Sequence, residues 1–232
     1  MNDPELLDRI RQLRKQGRSP KAIARSLRIR PAVVTPLLRQ VAAEEEANPS
    51  ESALVGCWVN QGWGDELDVA GHLEWPRGAP SDGCAGLVNI VVAREARYGK
   101  VSVCCILVDT HCLGVKNAIG PRTMRRDQLA DFKRDIYAVY GCPPLDIPLE
   151  LAQHLVFGAI EFARMLGFEP VSDFDACLGH LGSWSGQSAI RFGRHGKPMY
   201  VAGPYDNPEW VIRTLRRSVG KDNFDYLVGV AG

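Results

Sequence analysis

Two places in the chain gather side chains able to do chemistry. The first is Asp109-Thr110-His111-Cys112, at the end of the apolar run Val101–Val108. Successive strand side chains alternate, so Asp109 and His111 share one face and Cys112 takes the other. An Asp and a His two apart can bind a metal, or act as a base with its orienting carboxylate. A strand end that simply reaches solvent would carry the same residues. The second place is the segment 148–166. At about 100° per residue, Glu150, Gln153, His154, Glu161 and Arg164 fall within a stripe roughly 100° wide. His154 and Glu161 are nearly in register, with Gly158 leaving room between them. Such a stripe either lines a pocket or faces water. If strand end and helix stripe converge, Asp109, His111, His154 and Glu161 form a site for metal-assisted hydrolysis, the chemistry of a hydrolase or nuclease. No spacing forces that convergence, and the sequence sets no metal or other cofactor.

The elements that would position these groups belong to a domain over residues 53–232. Val55–Asn60, Leu87–Arg94 and Val101–Val108 read as strands, the last two joined by a turn at Ala96-Arg97-Tyr98-Gly99-Lys100. The irregular stretch 61–86 holds Trp63, His72 and Trp75, and stretches of that length are often functional. Helices are expected over 124–140, with Leu129, Phe132, Ile136 and Tyr140 inward, and over 148–166, apolar nearly all round. Ser172 opens a short helix reaching His180. Ala189–Phe192 and Pro198–Ala202 are expected to form a hairpin around Gly193-Arg194-His195-Gly196, whose basic tip could hold an anion. Asn207-Pro208-Glu209 caps a helix ending at Gly220, and Phe224, Tyr226, Val228 and Val230 alternate as a last strand. A ββαβ tail after an earlier hairpin predicts an α+β domain on a mixed β-sheet with packed helices. Trp58, Trp63, Trp75 and Trp184 are core residues or line a groove.

Charge is distributed unevenly. Residues 1–43 hold ten basic side chains against three acidic ones, a net +7, although the whole chain carries only +1. Residues 44–52 form an acidic linker with Glu44, Glu45, Glu46 and Glu51. Within 1–43, Asp3-Pro4-Glu5 starts a helix with Leu6, Ile10 and Leu13 inward and Gly17 as its stop. Ser19-Pro20 starts a second, with Ile23, Ala24 and Leu27 inward. Arg28-Ile29-Arg30 then turns into a third segment with Val33, Val34, Leu37, Leu38 and Val41. That third helix starts either at Pro31, leaving Pro36 inside it, or at Thr35-Pro36 as N-cap and first residue. The first choice costs a backbone hydrogen bond, about 3 kcal/mol. Neither places a side-chain pair suited to bidentate base contact, and Arg39 is the main candidate.

Three short helices with a brief last turn make a helix-turn-helix pattern. The run Gly17-Arg18-Ser19-Pro20-Lys21-Ala22-Ile23-Ala24-Arg25-Ser26-Leu27-Arg28-Ile29 resembles the core of homeodomain-like helix-turn-helix proteins, a resemblance covering residues 5–43. It implies a nucleic-acid-binding module. In the larger domain, Val101–Gly114, Leu155–Glu161 and Gly203–Pro208 are similar to a family of uncharacterised bacterial hypothetical proteins that often pair this domain with a helix-turn-helix. That resemblance implies architecture and boundary, and no activity.

Composition fits ordinary globular domains: 45% hydrophobic and 24% charged over 232 residues. A chain of this length buries enough surface to need no disulfides. The seven cysteines are odd in number and lack a CxxC pair, so they read as reduced thiols. No secretory signal is visible, and apolar runs fall short of the roughly 18 residues that suggest a membrane span. The expectation is a cytoplasmic, nucleic-acid-associated regulatory protein. Arg9, Arg14, Arg18, Lys21, Arg25, Arg28 and Arg39 would contact the phosphates of DNA or another polyanion. The α+β domain would bind a ligand or partner, or form a homodimer. The alternatives are the metal-assisted enzyme above and a protein-interaction adaptor docking through its N-terminal helices.

Overall fold

A computed structural model describes residues 3–16, 18–31, 33–38, 41, 52–69, 71, 74–80 and 86–228. They fall into two compact units, 1–52 and 53–232. Expectations resting on Gly17, Arg39, the linker 44–51, His72 and Val230 lie outside the described residues.

In the first unit, α1 spans Asp3–Lys15 and α2 spans Pro20–Leu27. The Ser19 hydroxyl accepts the Ala22 N–H at 3.3 Å, and Pro20 occupies the first turn, where its missing N–H costs nothing. Arg28 ends α2 in the left-handed region at φ 55°. A third helix, α3, is helical at residues 31, 33–38 and 41. The Arg30 carbonyl accepts from Val33 and Val34, so α3 begins at Pro31 and contains Pro36. The start at Thr35-Pro36 is therefore not taken; the Thr35 hydroxyl instead donates to the Pro31 carbonyl at 3.0 Å. Packing explains the choice. Val34, Leu38 and Val41 recur at helical spacing and are buried with Ile10, Ile23 and Ala24, which offsets the one bond lost at Pro36. Val33, beside them on the same helix, is 47% exposed.

The second unit is built on a five-stranded sheet in the order β5-β4-β3-β1-β6. Its strands are β1 (Leu54–Val59), β3 (Leu87–Glu95), β4 (Lys100–Asp109), β5 (Gly114–Arg125) and β6 (Leu145–Ile147). Every pairing within it is antiparallel, so the expected mixed sheet is corrected. Period-two alternation divides β4 cleanly. Cys104, Ile106 and Val108 face one core, and Val101, Val103 and Cys105 face the other. Helix α5 (Leu149–Leu166) covers the first face through Leu151, Leu155, Val156 and Ala159. Helix α4 (Gln128–Tyr137) covers the second through Leu129 and Tyr137. Both faces are thus buried, which accounts for the continuous apolar runs of the central strands.

Strand β5 replaces the start of the helix expected over 124–140, because Met124 and Arg125 pair with Val101 and Lys100. It lies at the sheet edge and carries Lys116, Pro121, Arg122 and Arg125, residues typical of an edge position.

The expected C-terminal hairpin does not form. β7 (Ile190–Arg191) pairs with β2 (Asp68–Val69), and β8 (Met199–Val201) pairs in parallel with β9 (Asp225–Leu227). Gly193, His195 and Gly196, all at positive φ, tighten the intervening turn onto itself around an Arg194–Lys197 bridge, and the flanking strands diverge to other partners. Between β8 and β9 runs α7 (Pro208–Val219), capped by the Asn207 side chain accepting from Trp210 N–H at 3.1 Å. Val211 and Leu215 of α7 pack with Leu166, Phe168, Tyr200 and Phe224. Of the residues whose alternation predicts a last strand, Phe224 is buried, whereas Tyr226 and Val228 are exposed. A single turn, α6 (Leu178–Leu181), follows a 3₁₀ stretch from Ser172 to Cys177.

The β4–β5 turn meets α5 at Gly114, which has φ 68°. A Cβ there would lie 2.8 Å from Ala163 Cβ and 3.0 Å from the Ala159 carbonyl oxygen. Gly114→Ala should therefore lower stability by about 2–4 kcal/mol, combining backbone strain with overpacking. Urea unfolding midpoints measure this, and a loss within about 0.5 kcal/mol would contradict the packing described.

Candidate functional site

The turn after β4 is organised by Asp109. Its Oδ1 accepts the backbone N–H groups of His111 at 2.9 Å and Cys112 at 3.0 Å. Three neighbouring segments attach to the same turn. The Gly86 carbonyl accepts from both the N–H and the hydroxyl of Thr110, the Thr110 carbonyl accepts from Gly193, and the His111 carbonyl accepts from Met199. Burial is the main influence on the Asp109 carboxyl and raises its pKa to about 6, against the lowering effects of the His111 N–H, Lys116 and the other turn N–H groups.

The His111 ring is 4% exposed and packs on Gly86, where a Cβ would come within 2.5 Å of Nδ1. Its Nε2 is buried without a hydrogen-bond partner and lies 3.9 Å from Glu66 Oε2. Glu66 Oε1 accepts from Arg194 Nε at 2.7 Å and lies 4.0 Å from His195 Nε2. The backbone carbonyl of Glu66 accepts the His195 N–H at 2.8 Å. Both residues are left-handed, with φ of 63° and 51°. Non-glycine residues persist there at about 1–2 kcal/mol each when their surroundings over-determine them, and such strain clusters at functional sites.

Burial lowers the His111 pKa most; Glu66 opposes this, Arg194 reinforces it, and the Asp65 carbonyl and His195 make smaller adjustments. The cluster thus arranges a buried neutral imidazole, a partly exposed carboxylate and an exposed imidazole in sequence. The exposed end of Arg194 is available to an anion.

The four residues proposed from sequence divide into two pairs. Asp109 and His111 share the β4–β5 turn. His154 and Glu161, on α5, are bridged by Trp184: its ring meets the His154 ring edge-to-face at 4.9 Å, and its Nε1 donates to Glu161 at 3.4 Å. The His154 ring also faces Trp75 at 5.0 Å, and its Nδ1 accepts the Ala189 N–H at 2.9 Å. Gly158 leaves no open space between them, because Phe192 and Ser188 pack where its Cβ would be. Among the described residues no group of three or more His, Cys, Asp or Glu side chains could hold a metal ion.

The basic tip and the irregular 61–86 stretch do meet His111, through Arg194, His195 and Glu66. Glu66 had no sequence signal, since a left-handed glutamate in a loop resembles any other. Lys116 was also not anticipated. Its ammonium pairs with Asp206 at 2.9 Å, and Asp206 further accepts from the Gly203 N–H and the Tyr200 hydroxyl. Burial would raise the Asp206 pKa, but these partners, Lys116 first, hold it below the usual range. The pair fastens the Gly203–Asp206 turn to β5. Comparison with protein-family models, curated proteins and solved structures finds no match. Among the described residues no helix is long and apolar enough to cross a membrane.

Asp109 yields a signed pH expectation. Its folded pKa of about 6 exceeds the unfolded value near 4, so the folded chain binds more protons between the two and loses stability as pH rises through that window. Asp109→Asn keeps an acceptor oxygen without the charge. Relative to this variant, the wild-type chain should lose stability as pH rises from about 4 to about 6 in a urea unfolding series. A difference constant across pH would contradict the buried, ionisable carboxyl.

Proposed function

We propose that the chain is a nucleic-acid-associated regulatory protein. Residues 1–43 act as a helix-turn-helix-like module gripping the phosphates of DNA or another polyanion, and the domain 53–232, with its β8-α7-β9 tail, binds a ligand or partner. One observation carries the reading. Arg9, Arg18, Lys21, Arg25, Arg28 and Arg30 are all exposed, and among the described residues the module's ion pair is Arg11 with Asp8. A compact core of Ile10, Ile23, Val34, Leu38 and Val41 supports that charged surface on short helices. Burying cations without acids nearby would be costly; displaying them creates a field for a polyanion.

The first turns of α3 argue for phosphate contact rather than base reading. Pro31, Val33, Val34, Thr35 and Pro36 supply no amide or guanidinium for the bidentate contacts that discriminate bases. Affinity should therefore be weakly dependent on sequence and strongly dependent on salt.

Duplex binding measured over a salt series tests this. Each neutralised phosphate contributes about −0.9 to the slope of log affinity against log salt. A full-length Arg18→Ala, Arg25→Ala, Arg28→Ala variant should bind more weakly, with a slope shallower by about 2.7. Absence of binding by the wild-type chain at about 50 mM salt would overturn the proposal and favour protein docking through the same helices.

A further inference from the structure

The α4 side of the large domain contains a concave site apart from the Glu66–His111 cluster. A cleft of about 620 Å³ opens there, walled by Trp58, Lys133, Arg134, Tyr137, Cys142 and Asp146. That volume falls within the range of small-molecule pockets, about 300–1,000 Å³.

The aromatic wall is set by the strand sequence. Gly56 and Trp58 are two apart on β1 and share a face, and a Cβ on Gly56 would lie 2.7 Å from two indole carbons. The bare glycine lets the indole lie back along its own strand. Tyr137 fixes the floor, its hydroxyl meeting the carbonyls of Trp58 at 2.8 Å and Asn89 at 3.1 Å. Lys133 Nζ sits 3.8 Å from the Trp58 ring centroid, a cation–π arrangement. Among the described residues Lys133 makes no ion pair, whereas the adjacent Arg134 is shared with Asp131 and Asp135. The cleft therefore presents a planar π surface capped by a cation that lacks an anion, with a second cation beside it. Asp146 pairs with Trp58 across the β1–β6 ladder and also lines the cleft, where its carboxylate offers an acceptor.

We propose that this cleft binds a small planar ligand carrying an anionic group, of the nucleoside monophosphate or aromatic carboxylate class. Its ring takes the place of the Lys133 ammonium on Trp58, and the anion is held by Lys133 and Arg134. The ammonium exchanges a π face for a full negative charge, while the ring gains the stacking surface. This gives the ligand-binding part of the regulatory reading a site and a chemical class. The test uses no nucleic acid polymer, so either proposal can fail without the other.

Cys142 supplies the readout, because it lines the cleft and is the one free cysteine among the described residues that is not buried. Its alkylation in the full chain, followed by peptide mass, would be titrated with adenosine monophosphate, indole-3-acetate, adenosine and inorganic phosphate. At least one planar anion should slow alkylation saturably, and which one succeeds identifies the ligand class. Adenosine and phosphate alone should each need at least about tenfold higher concentration, since stacking and charge contribute separately. Lys133→Ala with Arg134→Ala should weaken the effective anion by about tenfold or more, and Lys133→Arg should retain it. Trp58→Phe should also weaken it. Should that variant fail to fold, the two-cation variant decides alone. The proposal is overturned if neither planar anion protects Cys142, if a neutral ring protects it equally well, or if affinity survives loss of both cations.

Discussion

A single buried carboxylate organises the large domain. Asp109 turns the chain from β4 into β5 by collecting two backbone N–H groups on one oxygen, and the desolvation of that charge is the cost of the arrangement. Around the turn it makes, Gly86, Gly193 and Met199 find partners for backbone groups that would otherwise be buried unpaired. Gly114 then lets the hairpin press against α5, and the His111 ring takes its place over Gly86. Without the turn, neither the interface with α5 nor the approach of the 193–197 loop would be defined.

The two units use charge in opposite ways. In the first, cations stand on the surface of a small apolar core. In the second, cations are matched with carboxylates, one pair partly buried and one at the surface. Lys116 with Asp206 and Arg194 with Glu66 each tie loops to the sheet or to one another.

What the sequence disclosed follows from the range of the interactions involved. The β3–β4 hairpin, α5 and the Asn207 cap of α7 are dictated by neighbours within a few residues, and their signals were readable. β5 was obscured because an edge strand tolerates the proline, glycine and charges that elsewhere break strands. The partners of β7 and β8 were misassigned because adjacency favours a hairpin, whereas the positive-φ residues at 193, 195 and 196 direct the strands apart. The candidate cluster was legible only in fragments. His111 and the basic tip each carry a local signal, but Glu66 reaches Arg194 across 128 positions, a separation no local pattern encodes. α3 was ambiguous for a related reason, since only the shared burial of Val34, Leu38 and Val41 selects its start at Pro31.

The backbone bond between Glu66 and His195 joins two residues that each hold an unfavourable conformation. Release of either would remove the constraint that keeps its neighbour strained, so relaxation of the pair is concerted. With the Arg194–Glu66 ion pair and the β2–β7 ladder beside it, this bond makes the two loops one fastened unit, whose inner end is the carboxylate facing the buried imidazole.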